Sequence, residues 1–144
     1  MKYKLTFIYC LIVLILSVLP SSSFPKTEIT NIDKIVHFLM YFLMVGVMFL
    51  DDLLAKNARH FDQREKSRAN KNRFLPLVEM TEKKLLYFFF FSIIFGAIIE
   101  IIQHFLPSRS AEWYDLLSNS LGAGCAIITI YVLYSIFLKK NKKN

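Results

Sequence analysis

Glycine and proline are scarce here, four of each in 144 residues, and there are only two cysteines and one tryptophan. No Walker loop, nucleophile elbow or cofactor fingerprint occurs, so the usual glycine-built phosphate cradles are excluded. Cys10 and Cys125 stand in separate apolar runs, without a CxxC or the spacing of a metal site, and read as inert small hydrophobes. An HExxH helix is also missing, which removes the most compact zinc motif. Acid is the minority charge, with 11 Asp and Glu against 18 Lys and Arg.

The resulting formal charge of +7 would suit a nucleic-acid binder, but its distribution argues otherwise. Fifteen of the 18 basic residues fall at Lys2 and Lys4, in the Lys56 to Lys84 segment, or in the Lys139 to Lys143 tail; Lys26, Lys34 and Arg109 lie elsewhere. Such clustering at the ends of apolar runs is what the positive-inside rule produces, so no nucleic-acid partner is expected. The hydrophobic fraction of 55% leaves no room for a separate soluble domain. The sequence therefore predicts an all-α polytopic membrane protein, one domain over 1–144 folded as a four-transmembrane-helix bundle.

Its helices are expected at about 5–19, 33–52, 85–106 and 116–138, with a basic cytoplasmic loop at about 53–84. The first, Leu5 to Leu19, follows two lysines and stops at Pro20. It has the length of a signal-peptide core, but the bulky Leu19-Pro20 junction is a poor cleavage site, and a retained helix is expected. Thr30-Asn31-Ile32-Asp33 fits a capping box at the start of the second helix. Thr81 and Ser110 are the expected caps of the third and fourth, with Glu112 and Asp115 in the first turn of the last. Asp51 to Thr81 mixes both signs of charge and reads as a solvated loop touching anionic headgroups.

The polar residues that enter the apolar helices carry the functional question, because a carboxylate at the bilayer centre costs roughly 2.5 to 3.5 kcal/mol and persists mainly at partners or sites. Asp33, His37 and Tyr41 recur at four-residue spacing on the second helix, and Ser92, Gly96, Glu100 and His104 do so on the third, with Gln103 beside them. The fourth has Asp115, then Asn119 one turn deeper, then a small-residue face at Ser118, Gly122 and Ala126. Asp33 and Asp115 alone could be helix caps, and His37 alone a structural histidine. With the basic clusters and both termini placed in the cytoplasm, these residues converge on the outer leaflet, near the loops at Ser21 to Ile32 and Pro107 to Tyr114.

Two blocks, Asp33-Lys34-Ile35-Val36-His37-Phe38 with Tyr41 and Phe42, and Ile99-Glu100 with Gln103, Pro107, Ser108-Arg109, Asp115, Asn119 and Gly122, resemble the VanZ-like family of small bacterial membrane proteins. The Leu19-Pro20 turn fits as well, whereas His104 and Glu112 fall outside the pattern and the 51–81 segment is longer and more charged than it. The resemblance implies four helices in a bacterial inner membrane and, in the family's namesake, low-level resistance to the glycopeptide teicoplanin. It supplies no settled reaction.

Three functions stay open. The first is an outward-facing pocket for a lipid-linked envelope component, or a role in glycopeptide access, using Asp33, Lys34, His37, Tyr41, Glu100, Gln103, Arg109, Asp115 and Asn119. The second is an enzyme acting on a lipid-linked substrate, with Glu100 or Asp115 as base, His37 as acid or base and Arg109 on a phosphate. The third is a structural or partner-binding bundle. A metal held by His37, Glu100, His104 and Asp115 is chemically open but lacks a compact motif, so neither a metal nor another cofactor is expected. Membrane lipids are the expected surroundings.

Overall fold

The computed structural model describes residues 3–20, 32–66, 82–107 and 112–141. Among the described residues the chain forms α1 (Lys4–Val18), α2 (Ile32–Lys66), α3 (Glu82–His104) and α4 (Trp113–Asn141), and no strand. The 21–31 loop with the Thr30-Asn31 cap, the Thr81 and Ser110 caps and the 67–81 part of the basic segment lie outside them. Three helices contain stretches long and apolar enough to cross a membrane, at Ile32–Lys56, Lys83–His104 and Trp113–Ile136. Helix α1, with 15 residues, rises only about 22 Å at ~1.5 Å per residue, less than the ~30 Å of hydrocarbon.

Each long helix buries a stripe with the 3.6-residue period. On α2 it runs His37, Tyr41, Met44, Val45, Met48 and Asp52; on α4 it runs Asp115, Asn119, Gly122, Ala123, Ala126 and Ile130. The two stripes share the same offsets, and each starts polar and turns apolar, the α2 stripe ending on Asp52 where α4 has Ile130. Helices α2 and α4 lie parallel, so their polar ends meet. The closest approach is at Gly122, which lies against the backbone of Phe38: a Cβ added there would land on the Phe38 carbonyl oxygen, 3.0 Å from its carbonyl carbon. Only glycine permits this packing, as small residues do generally where helices meet in lipid.

The opposite end is closed by two aspartates that sequence reasoning assigned to the edge of a loop. Asp51 caps α1 from outside the helix: its Oδ2 accepts from the Thr6 backbone N–H at 2.7 Å and from the Thr6 hydroxyl at 2.8 Å, and its Oδ1 accepts from the Leu5 N–H at 3.4 Å. Asp52, buried, takes the Lys84 ammonium at 3.0 Å and stands 3.8 Å from Lys56 one turn on. One acidic pair thus ties the starts of α1 and α3 to α2. At its far end α1 is held by Gln103, whose side-chain N–H donates to the Ser17 carbonyl at 3.0 Å, and midway the Tyr9 hydroxyl donates to the Met40 carbonyl at 2.9 Å. These contacts run α1 antiparallel to α2 and parallel to α3, and they fix its depth although its length does not.

The expected loop at about 53–84 is corrected by this arrangement, because α2 continues through Lys66. Charge was mistaken for irregularity. Between Gly46 and Pro76 there is neither glycine nor proline to stop a helix, and the run is rich in Leu, Ala, Lys, Arg, Gln and Glu, all good helix formers. The helix continues past Lys56, where its apolar stretch ends, to Lys66.

Gly122→Ala tests the close approach. It is expected to destabilise the protein by about 1 to 3 kcal/mol or more, the usual cost of overpacking, whereas Gly46→Ala, which would meet nothing within 4 Å, should be neutral or slightly stabilising. Thermal unfolding of both variants in the same detergent checks the contrast.

Candidate functional site

The approach at Gly122 sets α2 and α4 side by side one turn earlier, where His37 and Asn119 meet. His37 Nδ1 lies 3.0 Å from Asn119 Oδ1. An amide oxygen only accepts, so the ring donates Nδ1–H and a neutral imidazole keeps its lone pair on Nε2. Asp33 Oδ1, one turn back on α2, stands 3.9 Å from that Nε2. Asp115 approaches from α4: Asp33, His37 and Asp115 each present a potential ligand atom within 4.8 Å of the others. Asp115 is 3% exposed and His37 6%, while the Asp33 side chain is 54% exposed. This is a partly sheltered constellation at the polar ends of two parallel helices.

Lys34 and Glu112 form its rim, with Nζ to Oε2 at 3.0 Å and Nζ 5.9 Å from the Tyr114 ring centre. Glu112 immediately precedes the first residue of α4 instead of lying inside its first turn, and its carbonyl accepts the Asp115 N–H at 2.9 Å. Sequence reasoning left Glu112 out of the site. Its signal, an acid at a helix start, is indistinguishable from a dipole anchor until the fold brings Lys34 across from it.

Helix α3 adds Glu100 and closes the inner side. Its buried face is Leu85, Phe88, Ser92, Gly96, Ile99 and Gln103. The expected stripe of Ser92, Gly96, Glu100 and His104 fails geometrically, because steps of four residues drift by about 40° each on a helix with ~3.6 residues per turn. Three steps carry His104 off the buried face, and it is exposed. Glu100 sits at the turning point. Its two carboxylate oxygens are enclosed, face the Glu112 backbone N–H without a well-formed hydrogen bond, and lie within electrostatic range of Asp115, His37 and Asp33. Gly96 leaves the room in which Tyr41 and Asn119 sit: a Cβ there would be 3.1 Å from Asn119 Nδ2 and 3.2 Å from the Tyr41 hydroxyl.

Among the described residues, five buried side-chain atoms lack a hydrogen-bond partner: Tyr41 Oη, both Glu100 oxygens, Asp115 Oδ1 and Asn119 Nδ2. All belong to residues singled out from the sequence. An unsatisfied buried polar group costs roughly 1 to 3 kcal/mol, so five in one place mark an end of the bundle not built for stability alone. Gln103 differs from them. It is buried against α1 with its amide on the Ser17 carbonyl, a bond that joins two helices. Arg109 lies outside the described residues.

A groove of about 520 Å³ opens between the ends of α3 and α4. Ala97, Ile101, Phe105, Trp113 and Leu116 form its apolar walls, and Glu100, His104 and Glu112 its polar edge. Glu100 therefore borders both the groove and the buried constellation. The volume falls within the ~300 to 1,000 Å³ of small-molecule sites, and apolar walls with a few convergent polar groups are their usual lining.

If the Glu100 carboxylate holds no structural partner, removing its charge costs the fold nothing. Glu100→Gln should melt in detergent at the native temperature or a few degrees above it. A fall of more than about 5 °C, roughly 1 kcal/mol for a small domain, would make Glu100 a structural member of the bundle.

No curated protein and no solved structure matches the chain. Residues 6–137, which hold α1 to α4 nearly whole together with both polar ends of the bundle, match the VanZ/LLP1 family, and the chain belongs to that family.

Proposed function

We propose that this protein binds an amphiphilic, lipid-linked component of the cell envelope, with the apolar chain in the groove between α3 and α4 and the head group against Glu100. The observation that carries this reading is the groove itself, whose apolar walls turn to carboxylates at the edge where Glu100 meets the His37 and Asp115 constellation. Carboxylates accept and do not donate, so the direct complement is a head rich in hydroxyl or ammonium donors, such as a sugar or an amine. In this reading the lipid enters the groove laterally from the bilayer. Trp113 and Tyr114, both exposed beside it, suit the level of the headgroups.

This reading takes the protein to lie in a bacterial inner membrane, with α1 as a fourth, short span and both termini in the cytoplasm. The site then opens at the outer face, where it could alter the access of a glycopeptide such as teicoplanin to its envelope target. A second reading, a membrane enzyme acting on a lipid-linked substrate, draws support from one feature: the His37 Nε2 lone pair faces the same carboxylates and could take or give a proton.

The groove is tested by adding lipid extracted from native membranes to delipidated protein. The native chain should retain lipid in native mass spectrometry and melt higher, and Ala97→Phe, which fills the groove wall, should do neither. Equal retention by the two, or none by the native chain, would overturn the reading. Orientation is tested separately in a cysteine-free background. Impermeant thiol reagents should label a cysteine placed at Ser22 or Ser110 in intact cells and spare one at Ser67; the reverse pattern would turn the site to the cytoplasm.

A further inference from the structure

We propose that Asp33, His37 and Asp115 form a binding site for a single first-row divalent cation such as Zn²⁺ or Mn²⁺. The three potential ligand atoms lie within 4.8 Å of one another. In a tetrahedral zinc site, ligand bonds of about 2.0 to 2.2 Å put donors roughly 3.3 to 3.6 Å apart, so the widest pair needs to contract by up to about 1.5 Å. The half-exposed side chain of Asp33, in the first turn of α2, is free to make most of that movement.

Three further observations point to a cation here. His37 donates Nδ1–H to Asn119 Oδ1, the outer hydrogen bond that fixes the tautomer of metal-ligating histidines and aims Nε2 at the ion. That Nε2 lone pair faces Asp33 Oδ1 at 3.9 Å, two acceptors with nothing positive between them. Asp115, 97% buried by its 3% exposure, keeps Oδ1 without a hydrogen bond among the described residues. A proton on Nε2 would answer Asp33 at a distance beyond a hydrogen bond and leave Asp115 Oδ1 bare. One dication answers all three. The nearby lysine does not compete, because Lys34 is engaged by Glu112 at 3.0 Å.

The donor set of one imidazole and two carboxylates suits Zn²⁺, Mn²⁺ or Fe²⁺ better than all-oxygen Mg²⁺ or Ca²⁺. Asp33 and His37 stand at i and i+4 on one helix and Asp115 on its parallel neighbour, so three ligands come from rigid elements and further positions remain open. Glu100, within electrostatic range of all three, also borders the groove. This last consequence rests on the groove reading: with an ion in place the acidic edge would accept an anionic head, such as a phosphate, that bare carboxylates repel.

The ion is tested without lipid, so the fate of the groove does not decide it. Full-length protein in detergent, stripped with chelator, is titrated with Zn²⁺ and separately with Mn²⁺ by calorimetry and by thermal unfolding. One ion per chain should bind with micromolar or tighter affinity and raise the melting temperature. His37→Gln and Asp115→Asn should each weaken it at least tenfold, and Cys10→Ser with Cys125→Ser should leave it unchanged. X-ray absorption of the loaded native protein, which needs no variant to fold, should show one imidazole nitrogen among oxygen ligands. Absence of saturable binding, undiminished binding in both site variants, or a first shell containing sulfur or lacking imidazole would each overturn the proposal. If the cation binds and native lipid extract is retained no better with it than without it, the ion site stands and its link to the groove falls.

Discussion

The structure depends on one contact without side chains, that of Gly122 with the backbone of Phe38. Two parallel helices gain no macrodipole attraction at this distance, and lipid tails supply no hydrophobic drive between them. What remains is van der Waals packing of close backbones and the hydrogen bonds that closeness allows. Because Gly122 is one turn below Asn119 and Phe38 adjoins His37, the same contact brings that histidine and asparagine to 3.0 Å. Asp33 and Asp115 follow, each one turn nearer the helix starts. Site geometry is thus a by-product of helix packing, and a wider α2 and α4 spacing would dissolve it.

Legibility in the sequence followed the range of the interaction that decides each feature. The helices are written in local apolar runs, and their number and rough positions could be read directly. The polar residues Asp33, His37, Glu100, Asp115 and Asn119 could be picked out because each violates its apolar surroundings, which is also a local signal. What could not be read is pairing. Asp51 and Asp52 looked like the start of a loop because their partners, Thr6 and Lys84, are 45 and 32 residues away. The charged end of α2 looked irregular because charge density was weighed above the lack of any helix breaker. The α3 stripe went astray by angular drift, so His104, one turn on from Glu100, lies off the buried face at the exposed edge of the groove.

The two ends of the bundle make opposite use of buried acid. At one end both Asp51 and Asp52 meet donors: backbone N–H groups, a hydroxyl and an ammonium. That end behaves as a clamp. It sets the depth of the short α1 and satisfies orphan N–H groups at that helix start, where α1 has no side-chain cap of its own. The other end holds comparable acid, yet among the described residues it leaves carboxylate oxygens, a phenol and an amide without partners.

A chain able to build the first end had the means to build the second the same way. A structural network loses stability when its groups are left half satisfied, since each buried polar atom without a bond costs more than an apolar replacement would. The cheaper solution, apolar side chains at Glu100 and Asp115, would continue the stripes of Ile99 and Ala123 without strain on the backbone. Keeping acid there makes physical sense where a group from outside completes the hydrogen bonds. The placement of Glu100 argues for the direction it comes from, because the same carboxylate borders the apolar groove and feels the charges of His37 and Asp115. Gly96 supports this from below: by clearing space beside Tyr41 and Asn119 it lets two polar groups stand under the cluster where a β-carbon would have crowded them. Glu100 thus joins two features at one end of the bundle: the groove between α3 and α4, and the unsatisfied atoms packed beside Gly96 and the Gly122 contact.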